Sequence, residues 1–376
     1  MHHSAYFVSV LATITSLARA QTVSGTPEGF AAGTTGGAAG STVTPSSTDE
    51  LVSYLTSSDP LTIVLSTTFD FTGTEGTTSE TGCAPWGTGS GCQLAINAND
   101  WCTNYESDAP SVSVSYDNAG TTPIDVASDK TVIGVGSSGV IKGKGLRLAN
   151  GVSNIIIQNI AITELNPQYV WGGDAITLDG SSNIWIDHVH TSLIGRQHIV
   201  SGYNANTAVT ISNCEIDGVT DWSASCDGHH YWALYFTGEG DQITFKGNYV
   251  HHTSGRSPKI DEGSFVHLPN NYWYANSGHA FEGADGYALV EGSVFQDVVE
   301  PENGWAGAMF APTSDSSSCA SALGRDCPAN IFGNSGSLSE SDTSVLDQFG
   351  SLEVADALDA ASAQSSVPDN AGVGKI

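Results

Sequence analysis

The sequence predicts an all-β fold, a right-handed parallel β-helix (solenoid) with a short N-terminal capping helix and peripheral loops. Two observations favour it. The composition suits many turns, because 43 of the 376 residues are glycine and only 14% are charged. From about Val132, short apolar segments of one shape recur at spacings of 22 to 34 residues. Periods in this range are typical of solenoids.

The repeating segments share the pattern apolar, any residue, apolar, polar, then Asn, Asp, Gly or His. They occupy residues 155–159, 184–188, 209–213, 243–248, 266–271 and 288–292. Most spacings are too short for a βαβ unit with its own crossover helix, so each strand is expected to stack on the next coil. Asparagine at the strand ends fits, because it tolerates left-handed turns. An antiparallel β-sandwich also has many short strands and is the competing architecture.

The chain on either side of the repeats predicts less regular structure. Ser47 and Glu50 have the spacing of a capping box before an apolar pattern, so a short helix should begin there and cap one end of the solenoid. Residues 62–65 are predicted to form a strand. The tail from about residue 338 is rich in Ser, Asp and Ala, and we expect it to pack loosely outside. Residues 21–376 should form one domain.

Residues 1–20 have the pattern of a signal peptide. An apolar run over residues 5–17 is followed by Ala18, Arg19 and Ala20, which fit an A-x-A cleavage site. No later run approaches the ~20 apolar residues of a membrane span. We therefore expect a secreted, extracellular protein that acts as a monomer without a membrane partner.

The formal net charge of −29 restricts the partners of the protein. A field of this sign repels nucleic acid and anionic membranes. It also disfavours a polyanionic substrate, although screening over ~8–10 Å in salt weakens that effect.

The seven cysteines indicate disulfides and one remaining thiol, as expected of an exported protein. Three of them lie within the Gly-rich residues 83–102, and Cys319 and Cys327 are close enough in sequence to pair locally. Cys214 lies in an alternating apolar run and is the best candidate for a buried free thiol. No spacing resembles a zinc site.

The few basic residues are informative because only ten remain once Arg19 leaves with the signal. Arg196, Arg256 and Lys259 follow strands of nearby predicted coils, and Asp174 lies one coil before Arg196. Equivalent positions on neighbouring coils are ~4.8 Å apart, so these four side chains are predicted to converge on one groove. Any one of them alone would be more typical of a solvated surface charge.

Aromatic residues in loop-like stretches give a second signal. Exposed rings can stack on flat apolar faces of a ligand, and sugar rings present such faces. The alternative is ordinary loop packing under the Gly-rich segments. The residues concerned are Trp86, Trp101, Tyr105, Trp171, Trp222, Tyr231 and Trp232.

Four motifs give the chain a specific resemblance to a known family. They are WGGDAITLD at 171–179, WIDH at 185–188, GRQH at 195–198 and SGRSPK at 254–259. From about Val23 to Ile331 the sequence resembles the fungal pectin lyases, polysaccharide lyases of the pectate lyase superfamily. The resemblance implies an endo-acting enzyme of plant cell-wall pectin degradation. Such an enzyme cleaves α-1,4 bonds of methyl-esterified polygalacturonate by β-elimination and leaves 4,5-unsaturated oligosaccharides.

The resemblance also implies roles for the converging side chains. Arg256 is similar to the catalytic arginine that removes the C5 proton, and Lys259 and Arg196 are similar to the cations beside it. Asp174 is similar to an acidic residue shared with the calcium site of pectate lyases. Arg196 stands about where those enzymes have an acidic ligand, so the resemblance implies no metal and no cofactor. Arginine is ordinarily protonated, and Arg256 is assigned as the base from the resemblance alone.

A substrate groove and a disulfide pattern are implied in the same way. The partner would be methylated pectin. Trp86, Trp101, Trp171 and Trp232 match the aromatic cluster of the family's groove, and Tyr105 departs from the family's pattern but is kept as a candidate. The implied disulfides are Cys83–Cys102, Cys92–Cys226 and Cys319–Cys327, which leave Cys214 free.

Three other functions stay open at this point. A calcium-dependent pectate lyase would need several carboxylates around Asp174, where residues 172–173 are glycines and Arg196 is a cation. A non-catalytic carbohydrate-binding protein would keep the tryptophans without needing the three cations together. A polygalacturonase would need a cluster of carboxylates, and no such cluster is evident among Asp179, Asp187 and Asp217.

Overall fold

The computed structural model describes residues 21–338 and 340–376, so the predicted signal peptide lies outside the described residues. Short strands follow one another along the chain. The first are β1 (Ser41–Val43), β2 (Leu61–Leu65), β3 (Thr68–Asp70), β4 (Thr77–Cys83), β5 (Leu94–Ala95), β6 (Ser111–Asp117), β7 (Ile124–Asp125), β8 (Lys130–Gly134), β9 (Val140–Lys142), β10 (Leu146–Ala149), β11 (Ser153–Gln158), β12 (Ala161–Leu165), β13 (Tyr169–Val170), β14 (Ile176–Asp179) and β15 (Ser182–Asp187). They continue with β16 (His190–Ile194), β17 (Ile199–Ser201), β18 (Thr207–Ser212), β19 (Glu215–Asp217), β20 (Leu234–Phe236), β21 (Gln242–Lys246), β22 (Tyr249–His251), β23 (Lys259–Ile260), β24 (Phe265–Pro269), β25 (Tyr272–Gly283), β26 (Tyr287–Glu291), β27 (Val294–Trp305), β28 (Ala308–Phe310) and β29 (Ile331–Gly333).

The helices are short and lie outside the strand stack. The α-helices are α1 (Thr48–Thr56), α2 (Trp101–Tyr105), α3 (Asn118–Thr121), α4 (Ala320–Leu323) and α5 (Ala360–Asn370). Single turns of 3₁₀-helix occupy Gly29–Ala31, Gly36–Ala39, Ala98–Asp100, Ser317–Cys319 and Thr343–Gln348. In the described part of the chain, no helix combines the length and apolarity needed to cross a bilayer.

The strands stack into the predicted parallel β-helix. One sheet runs in the order β1-β2-β8-β11-β15-β18-β21-β24-β26-β28. A second runs β3-β9-β12-β16-β19-β22-β25, and a third runs β7-β10-β14-β17-β20-β23 and ends on the same long strand β25. Neighbours in these three sheets pair in parallel, which excludes the antiparallel sandwich. Between the strands given above, antiparallel pairing occurs where β4 meets β5 and β6, outside the stack.

The register of the first sheet is the one that the repeats predict. The second apolar position of each repeat is fully buried in the interior, where burial of apolar surface stabilises the stack. The paired residues along the sheet include Ile157–Ile186, Ile186–Ile211, Ile211–Phe245 and Leu268–Val290.

Asparagines make the turns after these strands, as predicted, and also link one coil to the next. Asn213 and Asn270 have left-handed φ values of 50° and 58°. The side chain of Asn248 accepts a hydrogen bond from the backbone of Cys214 at 2.8 Å, and Asn271 accepts one from Asn248 at 2.9 Å. Cys214 therefore occupies the position of these asparagines one coil earlier. Its thiol is buried and unpaired, as predicted.

Helix α1 begins where the capping pattern predicts. Ser47 Oγ accepts a hydrogen bond from Glu50 N at 3.2 Å. The returning bond differs from a capping box, because Glu50 Oε2 accepts from Ser46 N at 2.7 Å and not from Ser47. Leu51 and Leu55 are fully buried against the first coils, so the helix covers this end of the hydrophobic core.

The prediction of a loosely packed tail is wrong. Phe349 is 2% exposed and its ring lies 6.1 Å from that of Phe30 and 4.9 Å from that of Phe265. Helix α5 buries Ala363 and Val367 against strands β25 and β27. Small alanine side chains let this helix approach the strands closely, and composition alone did not indicate that fit.

Candidate active site

A cavity of about 380 Å³ on the outside of the stack collects four of the aromatic residues noted in the sequence. We call it the aromatic groove. Its lining combines these rings with one cation and several small polar side chains. The lining residues are Trp86, Trp101, Glu106, Ala224, Ser225, Tyr231, Trp232, Ser254 and Arg256.

Two of the three disulfides fix the loops that carry these rings. One disulfide places its second cysteine directly after Trp101 in α2, and another joins the loop that follows Trp86 to the segment that precedes Tyr231. The pairings are those that the resemblance implies, namely Cys83–Cys102, Cys92–Cys226 and Cys319–Cys327.

The Arg256 guanidinium lies among aromatic rings at one end of the groove. Its central carbon is 4.8 Å from the ring centroid of Trp232, 5.1 Å from that of Tyr235 and 5.7 Å from that of Tyr231. Such cation–π contacts hold a charged side chain in one place. Arg256 precedes β23 and Tyr235 lies in β20, so neighbouring coils of the third sheet supply both.

Glu282, on the next coil, binds both cations at this end, and the sequence did not single it out. Arg256 Nε donates to Glu282 Oε1 at 3.2 Å, and Lys259 Nζ lies 3.6 Å from the same oxygen. Lys259 also pairs with Asp261 at 3.1 Å. Burial disfavours the charged form of Glu282, but a hydrogen bond with His279 and the two cations outweigh it and lower the pKa of Glu282.

The other two predicted residues form a separate pair. Arg196 Nη1 lies 3.6 Å from Asp174 Oδ2, and the guanidinium carbon lies 4.1 Å from the ring centroid of Trp171. Asp174 also accepts a hydrogen bond from Gln197 N at 2.8 Å. These residues line a depression of about 130 Å³ beside the groove. Among the described residues, no group of three or more His, Cys, Asp or Glu side chains is placed to hold a metal ion.

A row of rings connects the two pairs. Centroid distances are 6.0 Å from Trp171 to Trp101, 6.4 Å from Trp101 to Trp86 and 5.7 Å from Trp86 to Trp232. Arg196 lies at one end of this row and Arg256 at the other. The predicted cations therefore form two ion-paired groups, and contacts between the tryptophan rings connect these groups.

The buried side chain of His230 contacts the backbones of Arg196 and Trp232. Its Nε2 lies 2.6 Å from the carbonyl oxygen of Arg196 and 3.2 Å from that of Trp232. Burial lowers the pKa of His230 to about 4, so the ring is neutral near pH ~7, and Nε2–H donates to these carbonyls. One buried side chain therefore holds the backbones of Arg196 and Trp232.

Two aromatic residues from the sequence lie elsewhere. Tyr105 is 74% exposed and does not line the aromatic groove. Trp222 lines a different cavity. Sequence reasoning could not separate them from the groove aromatics, because loop conformation decides where each ring points.

Comparison with known proteins places the chain in a family. The sequence pattern of the family described as pectate lyase matches residues 88–376. The chain belongs to the pectate lyase family. Two similar members carry pectin lyase names. One, named probable pectin lyase A, from Aspergillus oryzae, is 59% identical over 371 residues and covers 98% of each chain. Pectin lyase B from Emericella nidulans is 56% identical over 380 residues, with 100% of both chains covered.

Solved structures resemble this pectate lyase family member in fold. A pectate lyase from Bacillus sp. N165, crystallised with trigalacturonate, has a TM-score of 0.57 at 20% identity and covers 93% of this chain and 99% of its own. A pectate lyase variant from Xanthomonas campestris has a TM-score of 0.57 at 18% identity, with 93% and 98% covered. These likenesses agree with the parallel β-helix.

Proposed function

We propose that this member of the pectate lyase family is an endo-acting pectin lyase that cleaves α-1,4 bonds of methyl-esterified polygalacturonate by β-elimination. The observation that carries the proposal is the row of tryptophan rings that runs from Arg196 to Arg256. Flat apolar rings suit uncharged sugar esters. The pectin lyase names of relatives at 56–59% identity support the same substrate.

The reaction breaks one C–H and one C–O bond of the substrate. A base takes the proton at C5, next to the C6 ester carbonyl, and negative charge spreads onto the carbonyl oxygen. The electron pair then forms the C4–C5 double bond as the C4–O bond breaks, and the departing oxygen gains a proton. The new non-reducing end is a 4,5-unsaturated ester.

Arg256 is the proposed base, and the cations beside it stabilise the developing negative charge. Lys259 shares the carboxylate of Glu282 with Arg256, and Arg196 stands at the other end of the aromatic row. The proposed step requires Arg256 to be unprotonated when it takes the C5 proton.

Metal independence is part of the proposal. In this chain the carboxylate of Asp174 faces Arg196 at 3.6 Å, so a fixed cation stands beside the one acidic residue that resembles a calcium ligand. A methyl ester accepts negative charge more easily than a carboxylate does. A protein cation can therefore stabilise the carbanion without a bound metal ion.

The proposal extends to location and assembly. Three disulfides are typical of proteins from oxidising compartments, and the signal pattern of residues 1–20 agrees with export. We place the enzyme outside the cell, as a monomer whose residues 21–376 act as one domain on pectin.

The role of Arg256 is tested by Arg256→Lys, which keeps the positive charge but not the guanidinium. We expect kcat to fall by about 10²- to 10⁴-fold, the usual contribution of a general base, with an unchanged circular dichroism spectrum. The matched control is Arg147→Lys, because Arg147 pairs with Asp125 outside the groove at 2.9 Å. Near-normal turnover of Arg256→Lys would remove Arg256 from this role.

A further inference from the structure

A second aromatic cavity lies outside the aromatic groove and has no part in the proposed reaction. Its volume is about 430 Å³, larger than that of the groove. Three half-buried rings line it, those of Tyr116, Tyr169 and Trp222, together with Leu193 and Pro167. We call it the Trp222 cavity.

The polar lining of the Trp222 cavity is acidic. Its carboxylates are Asp117, Glu164 and Asp221, and none of the described residues that line it is Lys or Arg. Asp117 caps α3, accepting from Ala119 N at 3.1 Å, and Glu164 pairs with Lys142 at 2.9 Å. Asp221 is exposed, as is the amide side chain of Gln168.

This lining selects for an uncharged sugar. Aromatic faces bury the apolar face of a pyranose ring, and carboxylate and amide oxygens accept hydrogen bonds from its hydroxyl groups. A free galacturonate would bring a like charge close to these carboxylates, which is unfavourable. A methyl-esterified galacturonate or a neutral sugar would not.

The wall of the cavity is already fixed without a ligand. Asn166 Oδ1 accepts from Asp117 N at 2.9 Å, and Asn166 Nδ2 donates to the carbonyl oxygens of Asp117 at 2.9 Å and Gly172 at 2.8 Å. These bonds join the end of β6 to the segment that leads into β13, where Tyr169 lies. A preformed site loses less conformational entropy on binding.

Gln93 separates the Trp222 cavity from the aromatic groove. On the groove side its Oε1 accepts from Trp232 Nε1 at 2.9 Å. On the other side its Nε2 donates to the carbonyl oxygens of Pro167 at 3.1 Å and Gly195 at 2.7 Å. One buried side chain therefore links Trp232 of the groove to Pro167 of the cavity.

We infer that the Trp222 cavity is a second saccharide-binding site, which takes uncharged sugar residues and retains long pectin chains beside the groove. The uncharged residues could belong to the methyl-esterified galacturonan backbone or to neutral side chains of pectin. The ring-stacking chemistry is shared by both, and binding to separate polymers distinguishes them.

Affinity electrophoresis tests this inference independently of turnover. Gels contain highly methylated galacturonan, de-esterified polygalacturonate or neutral galactan, and all variants carry Arg256→Lys to slow cleavage. We expect Trp222→Ala to weaken binding to an uncharged polymer by about 2- to 10-fold, the range expected for one lost aromatic contact. The uncharged polymer to which Trp222→Ala binds more weakly identifies the sugars that the cavity takes. Asp221→Ala, at the exposed rim, should weaken the same binding without affecting the fold.

The matched control is Tyr203→Ala, because Tyr203 is 91% exposed and lies outside the cavity. It should migrate like its parent in every gel. The inference is overturned if Trp222→Ala and Tyr203→Ala migrate alike in both uncharged polymers. It is also overturned if the loss in Trp222→Ala is greatest with de-esterified polygalacturonate.

Kinetics separate the cavity from the groove. On long methylated pectin, Trp222→Ala should raise KM and leave kcat unchanged. On a methyl-esterified oligosaccharide that fills only the groove, kcat/KM should be unchanged. An equal change on both substrates would mean that Trp222 acts through the groove. Absence of turnover in the wild type would overturn the pectin lyase proposal. The electrophoresis would still show whether the Trp222 cavity binds saccharide.

Discussion

At the residue scale, the electrostatics of the groove depend on Glu282. Its carboxylate binds Arg256 and Lys259 and is held by His279 at 2.6 Å. The carboxylate therefore fixes the positions of both cations. Nothing in the sequence marks this residue among 40 acidic residues. The only available signal was its position 26 residues after Arg256. This separation lies within the range of the coil spacings and would place the two residues on neighbouring coils.

We predict that Glu282→Gln lowers the rate. Loss of fixed positions for the two cations should lower kcat by up to ~10²-fold. The exposed Glu239 provides a control, Glu239→Gln, which should leave kcat unchanged. An unchanged kcat in Glu282→Gln would show that Glu282 is only structural.

A second residue-scale prediction concerns acid stability. Burial disfavours the charge of Glu215, but hydrogen bonds with His190 and His251 lower its pKa from 4.5 to about 2. A depressed pKa contributes stability that is present above pH ~4.5 and is lost as pH falls towards ~2. The Tm of the wild type should therefore fall more over this pH range than the Tm of Glu215→Gln. Parallel curves for the two proteins would contradict this assignment.

At the element scale, the regular strands were predictable and the loops were not. Apolar positions such as Ile157 and Ile186 predict their own register, because each must face the interior of its coil. The loop rings carry no such constraint. Trp222 and Tyr105 therefore lie outside the groove, although both are aromatic residues in loop-like sequence. The tail helix α5 packs tightly because its small side chains let it approach the strands closely.

The disulfides that hold the loops should affect activity differently. Replacing Cys92 and Cys226 by Ser releases the loop after Trp86, so we expect a stability loss of about 2–5 kcal/mol and a raised KM. Replacing Cys319 and Cys327 by Ser, outside the lining of the groove, should lower stability with KM unchanged. Urea unfolding and initial rates on methylated pectin measure both. Equal effects on KM would contradict the role of the first disulfide in shaping the groove.

At the scale of the whole molecule, charge and groove favour the same substrate. The net charge of −29 repels de-esterified pectate, which carries about one negative charge per sugar. Methylated pectin is nearly neutral, so this repulsion does not oppose its approach. In the described chain, Lys142, Lys144 and Arg325 are paired with carboxylates outside the groove. Arg196 and Arg256, in contrast, contact the rings of Trp171 and Trp232.

The most direct test of metal-independent β-elimination is ultraviolet detection of unsaturated products. Highly methylated pectin and de-esterified polygalacturonate are each incubated with the enzyme, with and without a chelator. We predict rising absorbance from the methylated pectin, unchanged by the chelator, and little from the de-esterified polymer. Chain cleavage without absorbance would indicate hydrolysis. Activity that prefers the de-esterified polymer and disappears with the chelator would contradict the account and indicate a calcium-dependent pectate lyase.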